Sequence, residues 1–275
     1  AVDGDFDDCQ AVLKALFADA AFAREVDLSA VNSINFVRLA AQIVYYFTVG
    51  AALGAPRRTV DFAVPTGNFG DAFAAWAAWE MGLPMEKILV ATNVNNVVAR
   101  ALAGGRLERT PVVATQSPAM DIQAPSNFER LYFEFAERNG AQTGSAFRDF
   151  TATGYASVRD IEDRCHWDFE AITVSEAETS AAIADNFTRT GMLVDPHTAV
   201  ALAAANMIVP MPGSPLVVLA TAHPAKFPDA VHAATGVFAP PPPAIRKRAD
   251  LPERFERLPA DAEVIKAYVR AFAAP

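Results

Sequence analysis

The stretch DFAVPTGNFGDAFAAW, residues 61–76, decides how this sequence folds and where its chemistry lies. A short apolar run suited to a β-strand enters a turn with two glycines, and a helical segment follows at once. We expect Gly67 and Gly70 to allow backbone angles and close approaches that are closed to residues with a Cβ. The first turn of the helix would then present unpaired N–H groups and the positive end of its dipole. This arrangement predicts a phosphate-binding loop.

Two common nucleotide-binding loops are excluded for this segment. No Gly-Lys-Ser/Thr follows the turn, and the G-x-G-x-x-G fingerprint is absent. A phosphate site without nucleotide-specific parts favours a phosphorylated cofactor such as pyridoxal phosphate, with Asn68 as a further side-chain donor. On this segment alone, an ordinary strand–turn–helix connection remains an open alternative.

The flanking sequence alternates short β-rich runs with helical segments. This alternation predicts a parallel sheet covered by helices. Asn32, Ser33 and Asn35 are expected to cap a long buried helix that runs from about residue 36 to residue 50. The remaining predicted elements are a helix over 6–24, strands within 59–64, 87–93, 170–175 and 215–220, an extended segment at 111–116, and a last helix over 261–273.

The composition narrows the classes of function. The 275 residues are 52% hydrophobic and carry a net charge of −9, which supports a full-sized core and argues against nucleic acid or an anionic membrane as a partner. We find no uninterrupted apolar run of the roughly 18–20 residues that cross a bilayer, and no secretory signal in AVDGDFDDCQ. Cys9 and Cys165 are too few and too far apart for a disulfide framework or a zinc site. We therefore expect free thiols in the cytoplasm and no metal.

Six blocks of sequence resemble threonine synthase, in the order that this family has them, over roughly residues 2–235. The resemblance implies an α/β fold of the tryptophan synthase β-like type (pyridoxal-phosphate fold type II), with a parallel sheet flanked by helices, here seen in part. We expect residues 1–57 to be the helical remainder of a smaller domain, 58–238 the large cofactor-binding domain, and 239–275 a Pro-rich linker and terminal helix. The blocks are DGDFDDCQ (3–10), VNSIN..R..AQIVYYF (31–47), PTGNFGD (65–71), SPAMDIQAPSNFERL (117–131), DPHTAV (195–200) and ATAHPAKFPDAV (220–231).

The resemblance also implies an activity: pyridoxal-phosphate-dependent conversion of O-phospho-L-homoserine and water to L-threonine and phosphate, a lyase reaction of threonine biosynthesis. By this resemblance Thr221 would offer its hydroxyl to the pyridine nitrogen. The substrate's phosphate needs a second anion pocket, and Arg38 is our candidate there, with Asn32, Ser33 and Asn35 as donors. Alternatively, Arg38 is a surface cation and the asparagines are helix caps. The cofactor phosphate would be bound by the backbone of Gly67, Asn68, Phe69 and Gly70, with Asp71 as a neighbour.

The residue that such an enzyme needs most is not found in this sequence. The family's Schiff-base lysine lies in an N-terminal segment that the sequence does not contain, and Lys226 stands in a different context. We therefore expect this chain to be a C-terminal portion that is inactive alone and has the N-terminal segment as its partner. A non-catalytic binder of a small phosphorylated ligand and a sibling serine or threonine dehydratase stay open as alternatives. His197 and His223 are secondary candidates for phosphate binding or proton transfer.

Overall fold

The computed structural model describes residues 1–4, 6–29, 35–159, 164–165, 168–209, 212–248 and 251–273. The chain divides into two compact units, one formed by Ala1–Val31 with Pro242–Pro275 and the other by Asn32–Pro241. The strands are β1 (Val2–Asp3), β2 (Asp61–Pro65), β3 (Ile88–Thr92), β4 (Arg106–Glu108), β5 (Tyr155–Ser157), β6 (Phe169–Thr173), β7 (Leu216–Val218) and β8 (Leu258–Pro259). The helices are α1 (Phe6–Ala18), α2 (Ala20–Glu25), α3 (Phe36–Leu53), α4 (Gly70–Glu80), α5 (Val97–Gly104), α6 (Phe128–Phe135), α7 (Gly140–Thr153), α8 (Glu176–Thr190), α9 (Pro196–Met207), α10 (Pro228–Thr235), α11 (Pro243–Arg246) and α12 (Ala262–Ala273).

A four-stranded parallel sheet in the order β6-β3-β2-β7 forms the centre of the larger unit. Side chains alternate between its two faces, as the pleat of a strand requires. Phe62 and Val64 join a core with α3, α4 and α5, whereas Ala63 joins a second core with α8 and α9. Every residue of β2 and β3 is buried, because helices cover both faces. The predicted α/β fold with a parallel sheet flanked by helices is confirmed.

Helix α3 begins where the sequence predicts and ends later. Asn35 is its N-cap and accepts a hydrogen bond from the amide of Val37. The helix passes through Gly50 and ends at Leu53, with Gly54 in the left-handed conformation at φ 106°. A Cβ on Gly50 would lie 2.7 Å from a Leu83 methyl carbon. Gly50 therefore permits close packing inside the helix. The prediction that the helix ends at about residue 50 is wrong.

By length and composition, α3 is also long and apolar enough to cross a membrane, contrary to our expectation that no segment would be. It is the only such helix among the described residues. Leu39 and Tyr46 are nevertheless buried in the core of the larger unit, and the Tyr46 hydroxyl donates to the Asp71 carbonyl oxygen at 2.7 Å. These contacts hold one face of α3 in the core, but only 17% of the helix is buried, so the prediction of a long buried helix is wrong.

The smaller unit joins the two ends of the described chain. Lys266 of α12 bonds Asp19 at 2.9 Å and Glu263 at 2.7 Å, and Arg270 forms a bidentate pair with Glu25. Both cations lie over the ring of Phe22, which is 1% exposed. These contacts hold α2 against α12 within this unit, whereas α3 belongs to the larger unit with the sheet.

Candidate active site

The loop after β2 and the segment after β7 meet at the carboxyl edge of the sheet. Strand β2 pairs with β7 on one side and with β3 on the other. The strands that follow β2 in the chain therefore lie on both sides of it. In open parallel sheets the carboxyl ends of strands at such a crossover form the usual ligand crevice. Ala63 is opposite Val218, and the Leu219 amide donates to the Ala63 carbonyl at 3.0 Å. Strand β7 ends at Val218 and Thr221 follows three residues later, after the same edge of the sheet from which the glycine turn leaves β2.

The backbone of the turn is strained at Phe69, not at a glycine. Phe69 has φ 65° and ψ 14°, a left-handed conformation that is unfavourable for a bulky side chain. Its buried ring holds it there, packed against Phe128 and Phe169 with centroids 5.4 and 5.7 Å away. Gly67 and Gly70 have no positive φ. Our expectation that the two glycines supply unusual backbone angles is therefore wrong.

Gly67 is required instead by a close approach of another segment. A Cβ there would lie 2.8 Å from the carbonyl oxygen of Ala119 and 3.0 Å from the Cα of Met120. These are backbone atoms, which cannot rotate away. At Gly70 the nearest atoms to an added Cβ are 3.6 Å away, an ordinary contact. The two glycines therefore differ: one fixes the position of the turn, and the other has room for a methyl group.

The turn presents a row of free amides. No side chain caps α4, and none of the described residues accepts a hydrogen bond from the amides of residues 67–72. The first N–H groups of a helix lack partners within it, and they lie at the positive end of its dipole. An anion is the ligand that satisfies both features. The structure thus brings together the backbone groups that the sequence indicated.

The side-chain and backbone oxygen atoms of Asn68 both accept hydrogen bonds. Its side-chain carbonyl accepts from the Ser126 amide at 3.5 Å and from the Ser126 hydroxyl at 3.4 Å. Its backbone carbonyl accepts from the amide and side chain of Asn127, at 3.1 and 3.3 Å. Residues 126 and 127 therefore brace the loop from behind. The Asn68 side-chain nitrogen remains the group that can donate to a ligand.

Asp71, in the first turn of α4, lies beside α3. Burial raises the pKa of its carboxyl group, and this rise is partly offset by the charge of Arg38 and a hydrogen bond from Gln42. Arg38 is exposed and occupies the first turn of α3. The guanidinium is therefore close enough to act electrostatically at the start of α4. The predicted cap Asn35 lies one turn before it, whereas Asn32 and Ser33 lie outside the described residues.

Thr221 follows β7 and is exposed, and its hydroxyl has no hydrogen-bond partner among the described residues. His223, also exposed, accepts from the Ala225 amide at 3.1 Å, so it caps the short turn Pro224–Lys226. Lys226 is exposed too, with its ammonium 5.4 Å from the centre of the Phe227 ring. Of these residues, the structure leaves Thr221 and Lys226 free to meet a ligand by hydrogen bonding.

Sequence reasoning missed a buried polar network behind the loop. The Asp121 carboxylate accepts from the side chains of Asn93 and Asn95 at 2.8 and 2.9 Å, and from the hydroxyl of Thr115 at 2.6 Å. It fixes the turn that approaches Gly67. The only signal in the sequence is the polar run after β3, ATNVNN, which does not reveal its partner.

Comparison with known proteins now identifies the family. The model of pyridoxal-phosphate dependent enzymes matches residues 1–221, and that of the threonine synthase C-terminal region matches residues 198–269. Threonine synthase of Pseudomonas aeruginosa is 45% identical over 273 residues, which is 98% of this chain and 58% of that protein. The crystal structure of PLP-bound threonine synthase from Brucella melitensis has a TM-score of 0.93 at 41% identity, covering 100% of this chain and 59% of that one. The yeast threonine synthase structure has a TM-score of 0.86 at 35% identity, covering 98% and 58%.

The chain thus spans a little under three fifths of the length of these relatives. The resemblance to threonine synthase that we recognised in the sequence is confirmed, and so is the fold type that it implied. This chain belongs to the family of pyridoxal-phosphate dependent enzymes, and within it is similar to threonine synthases.

Proposed function

We propose that this chain provides the cofactor-phosphate site and part of the substrate site of a threonine synthase. The whole enzyme would convert O-phospho-L-homoserine and water to L-threonine and phosphate. The observation that carries the proposal is the row of free amides over residues 67–72, placed at the carboxyl edge of the sheet beside the segment that contains Thr221.

The residues present fit pyridoxal phosphate. The amides of residues 67–70 would hold its phosphate, because free N–H donors at a helix N-terminus suit a dianion. The hydroxyl of Thr221 would meet the pyridine nitrogen, since it is unpaired and emerges from the strand next to the loop. When bound, the cofactor supplies an electron sink for a carbanion next to its ring.

Thr221 would set how strong that sink is. A carboxylate at this position would hold a proton on the ring nitrogen, whereas a neutral hydroxyl does not enforce one. A threonine therefore keeps the ring a milder sink.

Arg38 would bind the substrate's phosphate. Its guanidinium can form two parallel hydrogen bonds to phosphate oxygens. Asn32, Ser33 and Asn35, on the approach to the same helix, would be the further donors. The exposure of Arg38 and the effect of its charge on the pKa of Asp71, in the first turn of α4, support this assignment.

We place the lysine that attaches the cofactor outside these 275 residues, on a segment that must join this chain to complete the site. Lys266, although buried, is held by Glu263 and Asp19, and these hydrogen bonds raise its pKa. The proposed location is the cytoplasm, which the low cysteine content supports, since Cys9 and Cys165 are too few for a disulfide framework.

The test is to incubate the whole enzyme with pyridoxal phosphate and O-phospho-L-homoserine and to measure threonine and phosphate. Equal amounts of the two products are expected. In separate incubations, release of 2-oxobutyrate and ammonia from L-threonine, or of pyruvate and ammonia from L-serine, without threonine formation from O-phospho-L-homoserine would point to a dehydratase. Cofactor binding without turnover would point to a non-catalytic binder.

A first prediction concerns Thr221. We expect Thr221→Ala to lower kcat roughly three- to tenfold while changing cofactor affinity little, because one hydrogen bond of about 0.5–1.5 kcal/mol is lost at the ring. Thr221→Asp should shift the cofactor's absorbance, since a carboxylate favours the protonated ring. Thr221→Ser, which keeps the hydroxyl, is the matched control and should behave as wild type. Wild-type spectrum and rate in both Ala and Asp variants would remove Thr221 from the ring.

A second prediction concerns Arg38. Replacing it by alanine should raise the KM for O-phospho-L-homoserine about tenfold or more, because a charge-assisted hydrogen bond contributes about 1.5–3 kcal/mol. Inhibition by free phosphate should weaken in parallel, with cofactor affinity unchanged. Arg57→Ala, at an exposed arginine beyond the other end of α3, is the control and should leave KM unchanged. Unchanged KM and phosphate inhibition in Arg38→Ala would make Arg38 a surface cation.

A further inference from the structure

The short turn that contacts Gly67 donates a hydrogen bond to one histidine, His197. The turn Pro118–Met120 is a single 3-10 turn, and the side chain of its own N-cap residue, Ser117, does not cap it. Amides at the start of such a turn have no partner within it. The amide of Ala119 instead donates to Nε2 of His197, at 3.1 Å. A side chain from α9 thus satisfies a backbone donor far away in the sequence.

The contact made by Nδ1 of His197 determines that Nε2 is the ring nitrogen that accepts a hydrogen bond. Nδ1 lies 2.7 Å from Oδ2 of Asp195, so it carries the proton and donates. Asp195 is fully buried and also accepts from the amides of His197 and Thr198 and from the Thr198 hydroxyl. His197 itself is 4% exposed, and its ring lies 4.6 Å from that of Phe227. The imidazole is therefore held as one neutral tautomer with Nε2 facing Ala119.

The turn held by His197 is the one that contacts Gly67. The Ala119 carbonyl and the Met120 Cα lie 2.8 and 3.0 Å from where a Cβ of Gly67 would stand. The other end of the turn is fixed by Asp121 and its three side-chain donors. A displacement of Ala119 therefore moves the surface on which the first residue of the amide row rests.

We propose that His197 is a positioning residue for the phosphate loop, acting through the Ala119 amide and the contact of that turn with Gly67. This inference rests on the proposed function, in which residues 67–70 bind the cofactor phosphate. His197 does not touch the cofactor. It sets where the free amides stand, so its loss should weaken binding of the phosphate group and leave binding of the rest of the cofactor unchanged.

Two substitutions separate the two ring nitrogens. His197→Asn keeps a donor near Nδ1 for Asp195 and removes the acceptor at Nε2, whereas His197→Gln places a carbonyl oxygen near Nε2. In the whole enzyme we would measure dissociation constants for pyridoxal phosphate and for pyridoxal, which lacks the phosphate. We would also measure hydrogen exchange at the Ala119 amide without cofactor. His232→Asn, at an exposed histidine of α10, is the control.

We expect His197→Asn to weaken binding of pyridoxal phosphate up to about tenfold, the cost of losing one partly buried hydrogen bond that positions the turn. Pyridoxal affinity should stay constant and exchange at Ala119 should rise. His197→Gln should recover most of both losses, which a general destabilisation would not allow. Equal losses for both ligands, or no rescue by glutamine, would overturn the positioning role. If the wild-type enzyme does not prefer pyridoxal phosphate to pyridoxal, the proposed phosphate loop itself is wrong.

Discussion

Replacing Gly67 by valine is expected to abolish measurable binding of pyridoxal phosphate and to lower the stability of the larger unit. The added side chain would meet the Ala119 carbonyl oxygen and the Met120 Cα, and neither can move without displacing the turn. Overpacking of a filled site costs about 1–3 kcal/mol, and backbone neighbours leave little room for relief. The amide row would shift as well, so affinity should fall by far more than the roughly tenfold loss that one hydrogen bond would cause.

Gly70→Ala is the matched control for this prediction. An added methyl there meets nothing nearer than 3.6 Å, and alanine favours the helix that Gly70 begins. We therefore expect Gly70→Ala to fold at least as stably as wild type and to retain cofactor binding. Affinity would be measured by cofactor fluorescence titration and stability by urea denaturation. Near wild-type affinity in Gly67→Val would refute the anion loop, and equal damage from both substitutions would refute the difference between the two glycines.

The contrast between these glycines separates what the local sequence pattern predicts from what depends on tertiary contacts. The strand–turn–helix of residues 61–76 follows from local pattern, because strand formers, turn residues and helix formers come in that order. The sequence pattern cannot show that the strained residue is Phe69, since its left-handed backbone is held by rings from α6 and β6. Nor can it show that Gly67 faces Ala119. Both depend on contacts between segments that are distant in sequence.

The predicted extended segment at 111–116 illustrates a second limit. It has the composition of a strand, yet it forms no strand among the described residues. The Val113 amide donates to the Asn95 side chain at 2.9 Å, and the Thr115 amide donates to Asp121 at 3.0 Å. Side chains thus accept the hydrogen bonds of backbone amides that would otherwise donate to a neighbouring strand. Single-residue propensity carries no information about such partners.

The sequence predicts which residues could form the candidate site, but it does not predict their positions relative to one another. The turn pattern indicates the amide row and the family resemblance indicates Thr221, but only the strand order shows that they follow neighbouring parallel strands, β2 and β7. His197 stands in the sequence block DPHTAV, but its contacts with Asp195 and Ala119 depend on the fold. A histidine that acts through a backbone amide leaves no pairwise pattern in one sequence.

The last prediction is that these 275 residues alone do not attach pyridoxal phosphate covalently at one site. Attachment needs an unprotonated lysine amine beside the cofactor's aldehyde. Of the five lysines, Lys266 is paired with two carboxylates that raise its pKa, and the exposed Lys226 lies over the Phe227 ring. The other three, Lys14, Lys87 and Lys247, are exposed.

We would incubate the chain with the cofactor, reduce with borohydride and map the labelled peptides by mass spectrometry. Scattered label well below one equivalent is expected, because exposed amines react slowly and without selection. The whole enzyme, treated in the same way, should carry one equivalent on a lysine outside residues 1–275. Lys226→Arg provides the internal control and should not change the label on the isolated chain. One full equivalent on Lys226, lost in Lys226→Arg, would show that the attachment residue lies within this chain after all, next to Thr221.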